Sequence, residues 1–345
     1  MSLMTRILKS SNNPYISPLM ESEILTRDNL TTTEVPAMNI ALAGTLSGGI
    51  GAGNISIAGE SKHFKSLFAL ELAREYLKSR PQAELFFFDS EFGSPLAYFD
   101  TFGDDRDKIL HIPVTSVENL RHQMTDILDK ATPEDDVIFV VDSIGGLASL
   151  KEIKDAKEDN ESVDMTRSKI LKSFFRIVTP TLKIKDVPLI TIQHTYQTLE
   201  KFSKKVMSGG TGGIYGADII WFIGKQQVKE DTELVGWNFV INIEKSRFVK
   251  EKMKIDVIVK YTGGIYKYSG IFDLAVEAGV IRKPSKGYYS FGDDKKHRRS
   301  KFENDEEFMG ELILRDDFKR FVGNKFLLNP GEEYQPVPVE ESADD

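Results

Sequence analysis

Residues 55–66 read ISIAGESKHFKS, and the residue types at the end of that stretch could hold a chain of phosphates. Gly59 lets the backbone turn so that consecutive N–H groups point inward at phosphate oxygens, Lys65 can reach the β and γ phosphates, and the Ser66 hydroxyl can ligate magnesium. The usual pattern is glycine, four free positions, glycine, lysine, then serine or threonine. Here Glu60, Ser61, Lys62 and His63 fill the free positions, and Phe64 stands where the second glycine belongs, so a Cβ and a ring must be kept clear of the nucleotide. Other polar residues close apolar runs. Asp142 ends VIFVVD, where a carboxylate can hold a magnesium-bound water or cap the next helix. ELFFFDSE at 84–91 offers Asp89 and Glu91; strand alternation would place both on one face, with Glu91 furthest out to orient or deprotonate an attacking water. PLITIQH at 188–194 ends in Gln193 and His194, groups suited to sensing a γ-phosphate, although a strand-end histidine also serves as an ordinary hydrogen-bonded residue.

These residues need a scaffold that brings strand ends together. Short β-branched and apolar runs supply it at 55–59, 84–91, 109–114, 137–143, 188–194, 217–224, 239–247 and 254–264, with helical patterns between the first five. From Leu67 the apolar residues of LFALELAREYLKSR fall at helical spacing, which places 59–66 between a strand and a helix N-terminus. Near-continuous apolar strands alternating with helices imply a mostly parallel sheet covered on both faces, and the closely spaced last three suggest antiparallel strands at one edge. Ligands in such α/β sheets sit at the carboxyl ends of the strands. Two long polar segments leave those ends, 147–169 and 195–216. The second carries Lys201, Lys204 and Lys205, with Tyr196 and Phe202 among them and a glycine-rich end, which suits either a single-stranded nucleic-acid groove or a solvated loop.

At 345 residues the chain can bury a large core plus appendages. Residues 1–33 read as a small arm, 34–54 as an extended, glycine-rich approach to the loop strand, 269–330 as a C-terminal region with a short helix, a hairpin and an amphipathic helix, and 331–345 as an acidic disordered tail. The net charge of −8 argues against a generally basic nucleic-acid coat, while 245–254 and 295–301 are locally basic; the latter suits capture of duplex DNA or plain solvation. No run approaches a membrane span and residues 1–30 lack the apolar centre of a signal peptide. The absence of cysteine excludes disulfides and thiolate metal sites and fits a reducing cytoplasm.

From about Val35 to Phe272 the chain resembles the RecA-type recombinases, and most closely the phage UvsX-type strand-exchange proteins. The matching stretches are NIALAG, GESKHFKS, FFFDSEFG, VVDSIGGLAS, DMTRSKILKSFFRIVTP, HTY, GGTGG, IEKSR and YTGGI, in that order. Phe before the phosphate-loop lysine is itself a feature of the UvsX-type sequences. The resemblance implies an α/β fold with a RecA-like P-loop ATPase core over 34–268, a mostly parallel sheet, a small N-terminal oligomerisation arm and a small C-terminal α+β region. It implies ATP and Mg2+ as cofactors, Glu91 as catalytic glutamate, Tyr98 stacked on adenine, and Tyr261 near a nucleotide contact from the neighbouring subunit. Lys245 and Arg247 fall on a pair that reaches the triphosphate across the subunit interface. His194 takes the switch position, usually glutamine in the bacterial proteins. Segments 147–169 and 195–216 become the DNA-binding loops, with Arg167, Lys169, Arg176, Lys201, Lys204, Lys205, Gly209 and Gly210 as DNA contacts. The implied activity is a DNA-dependent ATPase that forms helical filaments on single-stranded DNA, pairs it with duplex and exchanges strands in the cytoplasm of a phage-infected host. Its implied partners are single- and double-stranded DNA, further copies of itself, a mediator or loading protein and a single-stranded-DNA-binding protein. A hexameric helicase on the same core and a non-enzymatic nucleotide-bound scaffold are the rival readings.

Overall fold

The computed structural model describes residues 1–345 apart from 23, 26–28, 159–164, 198–204, 209, 231–232, 293–294 and 330–345. The chain opens with α1 (Leu3–Ser10), which buries no residue, and enters the core at α2 (Pro36–Ala43). There follow β1 (Gly53–Gly59), α3 (Lys65–Ser79), β2 (Glu84–Asp89), β3 (Ile109–Pro113), α4 (Val117–Lys130), β4 (Val137–Asp142), α5 (Leu150–Lys157), α6 (Thr166–Ile184) and β5 (Pro188–Gln197). The core closes with β6 (Lys205–Met207), α7 (Gly210–Gly216), β7 (Ile219–Glu230), β8 (Glu233–Lys245), β9 (Lys254–Lys260) and β10 (Gly264–Ile265). Beyond it lie α8 (Ile271–Glu277), β11 (Arg282–Ser285), β12 (Tyr288–Ser290), α9 (Arg299–Glu303), α10 (Glu306–Leu314) and α11 (Asp316–Phe326).

The large sheet runs β10-β9-β8-β7-β1-β5-β4-β2-β3, with the six strands from β7 to β3 parallel and β8 to β10 antiparallel at one edge. Every residue of β1 and β4 is buried, which is why β4 reads as an apolar run up to Asp142 and β1 as a mainly apolar one, its Asn54 and Ser56 being buried among hydrogen bonds. One face packs against α2, α3 and the C-terminal helices, the other against α4 and α6. Among the described residues no helix is long and apolar enough to cross a membrane.

Four local expectations are corrected. Segment 34–54 is not extended throughout: PAMNIALA forms α2, with Pro36 at its first turn, and its residues 36–42 are all buried. A helix apolar on every side gives no amphipathic signal. Buried Asn39 fixes its entry by accepting from Thr33 N–H at 2.9 Å and donating to the Thr33 and Leu46 carbonyls at 2.9 and 3.2 Å. The expected strand at 84–91 stops at Asp89, whose carboxylate accepts from the N–H groups of Glu91 and Phe92 at 3.1 and 2.7 Å and so forms a turn. The amphipathic stretch at 308–326 divides into α10 and α11 at Arg315, which is extended. The two long polar segments contain regular structure: α5 with a Ser149–Glu152 capping box, the first turn of α6, β6 and α7.

Residues 31 and 50 pair as an isolated antiparallel bridge, which draws the end of the arm onto the core. Gly49 makes this approach possible, because a Cβ there would stand 2.0 Å from the Thr31 carbonyl oxygen. Gly49→Ala should therefore cost about 1–3 kcal/mol of unfolding free energy, read as a lowered urea midpoint. An unchanged midpoint would show that this approach carries no stability.

Candidate functional site

β1 delivers the chain to Gly59 between β5 and β7, and α3 leaves at Lys65, so residues 60–64 turn at the carboxyl edge of the sheet above a helix N-terminus. First-turn N–H groups there favour an anion. Lys65 is buried, and its Nζ donates to the Glu60 carbonyl across the loop at 2.9 Å. Burial pushes its ammonium below the usual lysine range, and the nearby charges of Glu91 and Asp142 only partly oppose this. Ser66 Oγ donates to Asp142 Oδ2 at 2.6 Å. Burial pushes the Asp142 carboxyl up; the Ser66 bond resists, while the charges of Glu91 and Asp89 add to the push. A largely buried ammonium beside a paired hydroxyl and carboxylate fits a polyphosphate with magnesium. Among the described residues no group of three or more His, Cys, Asp or Glu side chains could hold a metal by itself, so the ion's remaining ligands would be phosphate oxygens and water.

Phe64 and Lys62 both adopt left-handed backbone, φ 52° and 63°, which costs a non-glycine residue about 1–2 kcal/mol. The Phe64 ring is turned onto Phe239 of β8, with centroids 5.2 Å apart. That placement answers how the loop tolerates a ring at the glycine position. His63 Nδ1–H donates to the Ile223 carbonyl of β7 at 2.8 Å, and Glu60, Ser61 and Lys62 are exposed at the loop's crest.

Because β2 ends at Asp89, Asp89 and Glu91 do not share a face. Asp89 forms the turn and also meets His111 Nε2 at 3.2 Å. Glu91 alone faces the loop, and its Oε1 accepts the Ser143 hydroxyl and, at 2.8 Å, His194 Nε2–H. Burial would raise the Glu91 carboxyl, but the bonds from Ser143 and His194 and the charges of His194 and Lys65 outweigh it, so the net direction is down. Ser143 went unnoticed in the sequence; its only signal was its place after the strand-end aspartate. Gln193 and His194 part company for a simple reason, since neighbours on a strand face opposite ways. Gln193 is fully buried and donates to Ser56 Oγ at 3.0 Å, extending a hydroxyl ladder with Thr191 between β1 and β5. Gly145 leaves room for the His194 ring, which a Cβ would approach to 2.8 Å.

Arg167 is occupied by the protein itself. Its guanidinium donates to the carbonyls of Leu147 at 2.6 Å, Ile144 at 3.0 Å, Gly145 at 3.1 Å and Ser208 at 3.3 Å, bracketing the start of the first long segment to Ser208, between β6 and α7, in the second. Lys169 and Arg176 are exposed on α6, with Arg176 about 13 Å further along the helix than Arg167. Lys205 lies in β6 and Gly210 opens α7. Lys201, Lys204 and Gly209 lie outside the described residues, as does the tail at 331–345.

Lys245 and Arg247 are not brought to this chain's own phosphate loop. Lys245 pairs with Ile220, itself level with Ser56, about 10 Å down the strands from Gly59. Its Nζ donates to the carbonyls of Ala217 at 2.6 Å and Ile214 at 2.8 Å, and burial, aided by Arg247, pushes its ammonium down. Arg247 Nε lies 2.6 Å from buried Asp218, which also accepts from Asn54 N–H at 3.0 Å and meets Lys183 Nζ at 3.1 Å. Tyr98 is exposed in the 3-10 segment Leu96–Lys108. Tyr261 is exposed after β9, and its hydroxyl accepts Trp237 Nε1–H at 2.9 Å.

Residues 268–322 match the family described as the C-terminal domain of the bacteriophage T4 recombination and repair protein. The chain is 41% identical over 348 residues to the recombination and repair protein of Enterobacteria phage T4, covering 98% of this chain and 89% of that protein. It is 26% identical over 268 residues to the RecA protein of Tropheryma whipplei, covering 75% of this chain and 59% of that protein. It is also similar to the RecA protein of Caulobacter vibrioides, 25% identical over 251 residues, covering 71% of this chain and 68% of that one. With similarity to the phage protein running through the arm, core and C-terminal region, and similarity to RecA covering most of its length, the chain belongs to the UvsX-type family of phage recombination and repair proteins within the RecA-type recombinases.

Proposed function

We propose that this chain is a DNA-dependent ATPase that assembles head to tail on single-stranded DNA, pairs that strand with a homologous duplex and exchanges strands. The observation that supports this most is a continuous link through His194. Its ring holds Glu91, its carbonyl accepts Ser208 N–H at 2.9 Å, and Ser208 is in turn held by Arg167. The group that would activate water is thereby tied to both segments that would grip DNA. Nothing in the geometry favours the closed-ring motor.

The residues divide the work simply. Lys65 and the N–H groups at the start of α3 bind the phosphates of ATP, and Tyr98 offers an exposed ring to the base. Ser66 and Asp142 hold magnesium, which when bound neutralises phosphate charge. Glu91, kept as a carboxylate by its downward-shifted pKa, orients the attacking water and takes its proton. Ser143 and His194 both bond Oε1, so Oε2 is the oxygen that turns to water. Lys245 and Arg247 serve the site of the next subunit. The exposed Leu3, Met4 and Ile7 of α1 dock the arm on a neighbour, a head-to-tail contact that need not close into a ring. DNA is held by backbone and stacking contacts in 147–169 and 195–216 while base pairing supplies specificity.

The reading is tested by ATP hydrolysis with and without single-stranded DNA, at low and high protein concentration, with negative-stain imaging of the same samples. DNA-stimulated, concentration-dependent turnover with helical filaments is expected. Closed rings would point to a motor, and filaments without turnover to a scaffold. A finer check concerns Ser143→Ala. With that hydroxyl gone, one of the bonds that hold the Glu91 pKa down is lost and the pKa rises, so the acidic limb of the kcat–pH profile should move to higher pH. An unmoved limb would separate Ser143 from the catalytic carboxylate.

A further inference from the structure

Two residues of the phosphate loop, Lys62 and Phe64, hold left-handed backbone without being glycine, and contacts from outside the loop must keep them there. Those contacts converge from the antiparallel edge of the sheet. Lys225 lies on β7, two residues beyond the Ile223 carbonyl that accepts from His63. Its ammonium donates to the Lys62 carbonyl at 3.2 Å and stands 5.4 Å from the centroid of the Phe64 ring. It also stands 3.7 Å from the Trp237 ring, close cation–π range. Lys225 pairs with Phe239 across β7 and β8, so Lys225, Trp237 and Phe239 share one face of the sheet. That is the face carrying α3, since Phe68 of α3 meets Phe239 edge to face at 5.6 Å. The Trp237 Nε1–H bond to the Tyr261 hydroxyl fixes the indole in place.

We infer that Lys225 is a positioning residue for the phosphate loop, pinning Lys62 by its carbonyl and Phe64 by its ring so that the loop's N–H groups are aimed before nucleotide arrives. A glycine at position 64 would adopt left-handed backbone without assistance. Phenylalanine there makes the loop depend on a cation 163 residues beyond Lys62 in sequence but adjacent in space. Lys225 touches no phosphate in this account and acts only through Lys62 and Phe64. The inference rests on reading residues 59–66 as the nucleotide site.

The test uses the full chain, with ATP binding followed by calorimetry and hydrolysis by steady-state kinetics. Lys225→Met should weaken ATP binding and raise KM about tenfold while kcat stays within about twofold. Lys225→Arg, which keeps the charge and can lie over both rings, should recover most of the loss. In a Phe64→Gly background, Lys225→Met should raise KM clearly less than it does in the wild type, because only the Lys62 carbonyl then depends on the latch. An equal loss in both backgrounds, a loss confined to kcat, or no recovery with arginine would overturn the latch. If Lys225→Met folds poorly, Lys225→Gln carries the same comparison. Wild-type protein that bound no ATP would overturn the nucleotide reading itself, whereas normal wild-type binding with an unchanged Lys225→Met overturns the latch alone.

Discussion

Lys65→Ala is expected to fold and melt as the wild type does and to lose ATP hydrolysis by about 10²–10³ or more in kcat. The two halves of that expectation have separate causes. The ammonium is buried, and the downward direction of its pKa means that the folded chain holds this charge against its solvation preference. Its Nζ donates to the carbonyl of exposed Glu60, which water can satisfy once the side chain is gone. Removing Lys65 therefore strips little from the fold. What disappears is the positive charge that would meet the developing charge on the transferred phosphoryl group, an interaction with no substitute among the neighbours described. Hydrolysis and thermal melting on the same preparation decide the matter. Turnover at the wild-type level would refute the loop assignment, and a large fall in melting temperature would make Lys65 a structural residue.

The second large effect belongs to Arg247. Arg247→Ala should lose most turnover, because charge supplied across an interface at a phosphoryl-transfer site is worth about 10³–10⁵ in rate. The fold should survive, since Asp218 keeps Lys183 and the Asn54 N–H when the arginine is removed. Mixing this variant with Lys65→Ala should then restore activity that neither has alone. An interface that joins an intact phosphate loop from one variant to an intact Arg247 from the other is competent, and about a quarter of the interfaces in an equimolar random head-to-tail mixture are of that kind. Absence of recovery at every ratio would rule against a site shared between subunits.

The sequence made the strand-ends visible because residues 137–141 are apolar without interruption and 55–59 nearly so, and a polar residue at the end of such a run stands out. Asp142 and Glu91 were legible as candidates for that reason, Lys65 and Ser66 by the spacing of a phosphate loop, and the structure brings Ser66 to Asp142 and Glu91 to His194. Helix α2 was not legible, because uniform burial removes the polar face that betrays a helix. The turn at Asp89 was hidden because it depends on where one side chain bonds, and a strand pattern is silent on that. Gln193 and His194 are neighbours in sequence with equal polarity; only the pleat of β5 sends one into the sheet interface and the other to Glu91. Lys225 could not be found at all by spacing, since it lies more than 150 residues from the loop whose shape it completes.

The engagement of Lys245 has a kinetic side. In the single chain its ammonium is already committed to the carbonyls that close α7, at 2.6 and 2.8 Å. If the same group is to serve a neighbour's triphosphate, each joining event must first release it, and the released carbonyls must find water or DNA. On that reading the first pairing of two chains would bear the barrier with no other contacts to offset it, whereas a chain adding to an assembled end would gain several contacts at once. Growth would then begin with a lag that shortens when short preformed seeds are added, a result that light scattering can check.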